Sequence, residues 1–484
     1  MLGSIRPHRR ALRSAFLASA ALCAAPFAAF ADDRPATPKG AQGLDALFAT
    51  YLGSNAATTA PAGDHYDVTI DVAKMMAPLS AFGVSAEPAQ THFSLTEQGD
   101  GAWRVARDGD LAMTFRFADS HYQAAIDGYK LDGVFDPAIA GFRSLQVGVD
   151  KQTVHMVSPE LEETSVTGPL RMTGSGAAAQ GGGLSGALRQ EGGDASVVIA
   201  EVKSGDAATP PPTTFRYSGA AFEATFDNFH AHETLDLWRL LVAHPSRAEL
   251  AANESALKDR LRALLPIADK LNEAASFEKL SIDTPMGAVE VGGFRLSIAA
   301  EGVPSDRDAE FHLAFEKLAL PANLTRAAAD FVPTSIDLGV RFGGLDLRGA
   351  VEEAIDDFHL AGDGPIFTDA DRAKVDSLIA RSSSILVTLL PSHIVAPQLD
   401  LSLQGDFEMT SGRSTGKLVV TARNFERMMA AVRSNPAAAP QMLATLTMAQ
   451  GLGKPDADGA LTWVAEYGAD GTVKVNGQPL GKTP

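Results

Sequence analysis

The residues with the clearest chemical potential are His230-Ala231-His232-Glu233, with Asp227 just ahead of them. Two histidines at i and i+2 point the same way on an extended strand and could share one metal ion. A metal site also needs a third ligand and outer partners that orient the first three. Polar residues at a strand-to-helix junction equally serve as helix caps. A second fragment, Gly412-Arg413-Ser414-Thr415-Gly416, matches the G-x-S-x-G elbow of serine hydrolases. That elbow requires a buried strand before the serine and a helix after it. Here strand-like residues stand on both sides, Phe407 and Met409 ahead and Leu418 and Val420 behind, which predicts a hairpin turn. Gly416-Lys417 echoes a phosphate loop, yet Ser411 stands where the first glycine belongs and Leu418 replaces the magnesium-binding hydroxyl. Gly181, Gly183 and Gly186 have the dinucleotide-loop spacing but no apolar strand before them, so they predict a flexible loop. Asp456-Ala457-Asp458-Gly459 lacks the closing glutamate of a calcium loop and reads as a turn. Glu352, Glu353, Asp356 and Asp357 flank Val351, Ile355 and Phe358 at helical spacing, as a solvated helix face does. No catalytic, cofactor-binding or metal-ligating residue is assigned from these fragments, and no cofactor is expected.

Composition narrows the classes further. The chain has 484 residues, 41 Lys+Arg against 59 Asp+Glu, a net charge of −18 and one cysteine. Its 45% apolar content is that of a folded protein, and its length calls for one large or two medium domains. The acidity lacks the basic footprint that nucleic acid demands. One cysteine excludes a disulfide framework and any multi-cysteine metal site.

The N-terminus reads as an export signal. Arg6, Arg9, Arg10 and Arg13 form a basic start, Ala15 to Phe30 is uncharged, and Ala29-Phe30-Ala31 is a small-x-small cleavage site. The apolar run is shorter than the ~20 residues of a spanning helix. Cleavage is expected after Ala31. It removes Cys23 together with four arginines and no acid, taking the net charge from −18 to −22. No later stretch is long and apolar enough to span, so the expectation is a periplasmic protein with no transmembrane span after cleavage.

The positions that would carry any chemistry must be held by the elements between them. Residues 32–63 read as a mobile lead-in with one docking helix at Leu44–Leu52. From Asp64 apolar residues alternate: Tyr66, Val68, Ile70 and Val72, then Leu111, Met113, Phe115 and Phe117. Period two means strands with one wet and one buried face. Residues 64–206 are therefore an antiparallel β-rich domain, interrupted by the low-complexity stretch Gly174–Gly186. The proline run within 207–213 is a stiff linker, and 214–484 forms an α+β domain. Ser246/Glu249 and Thr368/Asp371 are capping boxes that start helices. A strand running straight into a short amphipathic helix recurs at Tyr66–Phe82, Phe222–Val242, Phe311–Phe331 and Leu418–Val432. The fold expected is α+β, with large antiparallel twisted or curved sheets and amphipathic helices packed on one side.

The C-terminal stretch carries a resemblance. A strand near Leu399–Leu403 leads through Gly416-Lys417-Leu418-Val419-Val420 to a helix at Phe425–Val432. The chain then closes with Trp463 and the hairpin Gly468-Ala469-Asp470-Gly471-Thr472-Val473-Lys474-Val475-Asn476-Gly477. This order, over roughly residues 280–484, resembles the YdgA-like envelope proteins and uncharacterised alphaproteobacterial periplasmic proteins that share a domain of unknown function. More distantly it looks like the AsmA type. The resemblance implies curved sheets with an apolar groove able to hold lipid chains, and it supplies no catalytic residues.

Three functional readings follow. The first is a non-enzymatic envelope protein that binds a lipid or an envelope partner on a curved sheet. The second is a structural or interaction protein of the envelope. The third is a hydrolase using Ser414, or a metal enzyme using His230 and His232.

Overall fold

The computed structural model describes residues 35–202, 211–304, 308–321, 331–344, 347–362, 364–380, 384–410, 413–434 and 440–482. The export segment, its cleavage site after Ala31 and residues 207–210 of the linker lie outside these. Thr37 caps the first helix, α1 (Pro38–Leu52), by accepting the Gly40 N–H. The helix thus begins a turn and a half before the apolar stretch that announced it.

The chain then builds two antiparallel sheets at once. β1 (Ala57–Ala62) and β2 (His65–Asp71) open a long sheet. Helix α2 (Val72–Met76) and a 3₁₀ turn at Ala77–Phe82 lead to β3 (Val84–Ala86), the first strand of a second sheet. Strands now alternate in pairs. β4 (Gln90–Glu97) and β5 (Trp103–Asp108) join the long sheet, β6 (Leu111–Phe117) and β7 (Ser120–Asp127) the second. β8 (Lys130–Asp136) and β9 (Gly141–Val149) return to the long sheet, β10 (Lys151–Val157) and β11 (Leu161–Thr167) to the second. β12 (Leu170–Ala178) and β13 (Leu184–Gly192) are followed likewise by β14 (Ala195–Glu201) and β15 (Thr213–Ser218).

β16 (Ala221–Phe229) and β17 (Ala268–Phe277) add to the long sheet, with helices α3 (Ala231–Ala243), α4 (Arg247–Ala252) and α5 (Glu254–Ala263) between them. β18 (Lys279–Thr284) and β19 (Gly287–Val291) complete the second sheet at nine strands. The long sheet continues to twenty strands. It gains β20 (Gly293–Val303), β21 (Ala309–Glu316) and β22 (Ser335–Gly343), then, after helices α6 (Leu347–Asp357) and α7 (Asp369–Ala380), β23 (Ile385–Ala396), β24 (Leu399–Thr410) and β25 (Arg413–Arg423). Helices α8 (Phe425–Ser434) and α9 (Pro440–Leu452) precede β26 (Lys454–Pro455), β27 (Leu461–Tyr467), β28 (Thr472–Val475) and β29 (Gln478–Lys482). The expected α+β class with large antiparallel sheets is what forms. Among the described residues, no helix is long and apolar enough to cross a membrane.

The two sheets are halves of the same long strands, folded along one crease. Hydrogen bonds continue across it: the Gly109 N–H donates to the Tyr129 oxygen, Gly168 to Asp194, and Glu278 to Ser218, all within 3.0 Å. Gly109, Gly128 and Gly219 take positive φ along this line, where a β-carbon would oppose the bend. The ladder register runs unbroken across most of the crease. Val149 stands opposite Leu170 in the long sheet, and Gln152 stands opposite Thr167 in the second. The buried side nevertheless changes parity there, from Val147 and Val149 in β9 to Met156 in β10, so the crease resets the alternation. The apolar faces of both sheets consequently meet there. Tyr217 of the second sheet lies 4.8 Å from Phe277 of the long one, and Ile126 joins the core beneath α1.

Helices cover the two ends of the long sheet's apolar face. Ala41, Leu44, Phe48 and Leu52 of α1 bury against Tyr66, Val68, Leu95, Trp103 and their neighbours. At the far end Phe425, Met428 and Met429 of α8 close over Ala422, Leu401, Leu461 and Trp463. A third core contains helical and loop residues only: Leu250, Leu257, Ile355, Phe358 and Leu360, with Ala81 beside them. It builds a helical arm hung from one rim of the long sheet. Both predicted capping boxes form, Ser246 with Glu249 and Thr368 with Asp371.

The stretch Gly174–Gly186 differs from its expected character. Most of it is strand, and only Ala179–Gly183 turns. A β-carbon at Gly176 would stand 2.6 Å from the Phe142 oxygen, and one at Gly186 2.4 Å from the Ser175 oxygen. Glycine here serves close strand packing. The strand-to-helix unit forms at β2–α2, β16–α3 and β25–α8; in the fourth, residues 322–330 lie outside the described set. Asn228 and Asn424 hold left-handed backbone at two of these junctions, which asparagine tolerates better than most residues.

Candidate functional site

The sequence-derived fragments do not assemble into a reaction centre. His230 caps α3 and is half-buried, with Nδ1 unpartnered. His232, exposed on the first turn of α3, donates from Nε2 to the Ala138 oxygen at 3.2 Å. Asp227 lies back in β16, where it accepts the Ser185 hydroxyl. Among the described residues, no group of three His, Cys, Asp or Glu side chains could hold a metal ion. The helix start at Ala231 ends the extended geometry that would have aligned the two histidines.

Ser414 sits at the second position of β25, opposite Met409 of β24. Strand follows it, so the hairpin forms and no elbow does; Gly412 lies outside the described residues. Gly181 and Gly183 belong to the turn between β12 and β13, which closes on Asn228: the Gly183 N–H donates to Asn228 Oδ1 at 3.0 Å. Asp456 takes the Asp458 and Ala460 N–H groups, as a turn does. On α6, Glu352 pairs with Arg348, Asp356 with Arg262, and Glu353 and Asp357 with Lys374. These acids tie α6 to its neighbouring helices.

What the fold does assemble is a continuous apolar face. Residues directly opposite in a ladder share a face. Phe294, Leu296 and Ile298 of β20 stand opposite Phe315, Leu313 and Phe311 of β21. These in turn oppose Ile336, Leu338 and Val340 of β22. The row passes on through Ile394 and Val387 of β23 to Leu401 and Phe407 of β24. A bulge in β23 would break the ladder, but Ser392 fills it: its hydroxyl accepts the Gly339 N–H at 3.1 Å and donates to the Leu390 oxygen at 2.7 Å.

This face is covered at its ends and open in its middle. Among the described residues, no side chain of β20 or β21 is fully buried, and in β22 only Gly339 and Gly343 are. Leu296 is 37% exposed and Phe311 39%. The named strands of the second sheet end at β19, which is joined beyond only by the Glu290–Ala319 bridge, so among the described residues no further strand of that sheet lies beside β20–β22. An apolar stripe of this extent, with no helix over it among the described residues, marks a binding surface more often than a folding core.

The opposite face is polar and self-paired. Arg104 bonds Asp132, Arg189 bonds Glu223, and Arg341 bonds Glu310 across neighbouring strands. Arg341 and then His312 hold the Glu310 carboxyl below the usual range. A concavity of about 330 Å³ on this face is lined by Thr225, Asn272, Ser297, Glu310 and His312. Two of its acids are paired, Glu310 with Arg341 and Glu223 with Arg189, and Glu273 of β17 also borders it.

Arg107 and Glu163 are among the charges on the apolar side. Arg107 is stacked between Phe93 and Tyr129, 5.6 and 5.3 Å from the ring centres, and burial lowers its pKa. Glu163 in β11 stands between Met156 and Ile199. Its Oε2 is buried without a partner, and burial pushes the carboxyl above the usual carboxylate range. Nothing in the local sequence Leu161-Glu162-Glu163-Thr164 marks this acid, because its surroundings come from two other strands.

No protein-family model, no curated protein and no solved structure matches the chain.

Proposed function

We propose that this chain is a non-enzymatic envelope protein of the periplasm that binds lipid, laying acyl chains along the open apolar face of its long sheet. The observation carrying this reading is the half-exposed row of Leu296, Phe311 and their neighbours on β20–β22, flanked by helix-covered ends. Each methylene moved from water onto such a surface contributes about 0.8 kcal/mol, so a single acyl chain supplies enough to bind without any polar contact. The export signal expected of residues 1–31, and the resemblance of the C-terminal stretch to YdgA-like and AsmA-type proteins, support the reading.

Mass spectrometry of protein purified without detergent tests it. Bound lipid is the expected result, and Phe311→Glu should strip it. Protein that is lipid-free as isolated and takes up none from vesicles overturns the reading. A structural or partner-binding role draws on the outer edge of β29, where Leu480 is 49% exposed. A pull-down lost on substituting Pro for Gln478 would favour it.

A further inference from the structure

Apart from Arg107, held between Phe93 and Tyr129 near the α1 end, the charges described on the inner faces are acidic. In the register rows that continue the apolar face through β12–β25 and β10–β19, the described acids are Glu163, Glu201, Asp269 and Glu273, and no Lys or Arg appears. Asp269 is satisfied by the Asn228 amide, and Glu201 stands exposed at a strand end. Glu163 and Glu273 differ. Each is half-buried and flanked by apolar partners: Met156 and Ile199 for the first, Ala224 and Ile298 for the second. Neither has an ion pair among the described residues.

We propose that the ligand held along this face is an amphiphile bearing an ammonium group, such as an amine-headgroup lipid, and that Glu163 and Glu273 select it over anionic lipids. The proposal rests on the lipid-binding reading above and names the class of lipid. A carboxylate on an apolar wall has lost much of its hydration without gaining a partner. An arriving ammonium group restores a partner where water screens little. An anionic headgroup would instead place like charges together in the same surroundings. Chain binding supplies affinity without regard to the headgroup, while the two acids supply the discrimination.

The test uses the full chain and two vesicle preparations. One contains phosphatidylethanolamine and the other phosphatidylglycerol, with identical acyl chains, a neutral phosphatidylcholine matrix and a fluorophore on the acyl chain. Wild-type protein should extract the ethanolamine lipid about tenfold in preference to the glycerol lipid, the ratio of one favourable charge contact. In the Glu163→Gln/Glu273→Gln variant the ratio should fall to about one, with total uptake held within about twofold. Equal uptake of both lipids by wild type overturns the inference and leaves lipid binding standing. A preference that survives in the variant overturns the assignment to these acids. No uptake of either lipid overturns both. Circular dichroism of the variant establishes that the sheets are intact.

Discussion

Trp238 of α3 donates its indole N–H to the carbonyl oxygen of Tyr51, next to last in α1, at 2.6 Å. That one bond ties the helical arm to the helix that covers the sheet's first strands. Ser80, in the 3₁₀ turn beside the second sheet, meets the arm again by donating to the Pro245 oxygen at 3.0 Å. α3 therefore reaches from the rim of the long sheet, where it begins after β16, to the 3₁₀ turn that leads into β3.

Trp238→Phe keeps the ring's bulk and leaves the Tyr51 carbonyl without its donor. The expected cost is about 1–3 kcal/mol, read from the midpoint of denaturant unfolding. Hydrogen exchange should quicken in α3 more than in β1–β9. Uniform quickening would show that the bond does not anchor the arm specifically.

Leucines should separate into two groups. Leu250 is 0% exposed in the helical core, and Leu250→Ala should cost about 2–5 kcal/mol. Leu296, on the open face, should cost less than about 1 kcal/mol when truncated. If the two costs are equal, Leu296 has a covering partner and the open face does not exist as described.

Glu163 makes stability depend on pH with a defined sign. Below the ordinary carboxylate range the group is protonated in both folded and unfolded chains and contributes no difference. As pH rises, the unfolded chain releases its proton first, because burial has raised the folded value. Folding stability is then lost until pH passes that raised value. Glu163→Gln removes the loss. Its stability relative to wild type should grow as pH rises from about 4 to about 7. A difference that stays flat with pH would contradict a desolvated acid at this position.

Zinc should have no effect on unfolding. His232 is committed to the Ala138 carbonyl and Asp227 to Ser185. A micromolar addition of zinc, or removal of metal by chelator, should shift the melting temperature by less than about 1 °C, whereas a native-state site at saturating metal would shift it by several. A rise of that size would reinstate His230 and His232 as ligands.

Much of the fold was legible in the residues, for a physical reason. Tyr66, Val68 and Ile70, or Leu399, Leu401 and Leu403, alternate because one face of each strand meets water, and period two needs no knowledge of the partner strand. The capping boxes at Ser246 and Thr368 are equally local. The crease was not legible. Gly168 and Gly219 stand in no motif of the sequence, because nothing in a single strand shows that its neighbours bend at the same height. Gly174 to Ala178 carry no alternation at all, since the reason for small residues there is the backbone of a neighbouring strand. His230 and His232 were misleading for a related reason: spacing of i and i+2 means a shared face only while the chain stays extended, and α3 begins between them. Glu163 was invisible because its setting is contributed by Met156 and Ile199.

The alternation of strand pairs between the two sheets makes length a counted quantity in this architecture. Twenty strands at about 4.8 Å each unroll to roughly 90 Å. Each further quartet, two strands to either side of the crease, would lengthen the protein by about 10 Å. It would do so without touching α1 at one end or α8 at the other. Duplication of a single hairpin pair is thus a self-contained increment, and the distance such a protein bridges can be graded in even steps by how many increments it carries.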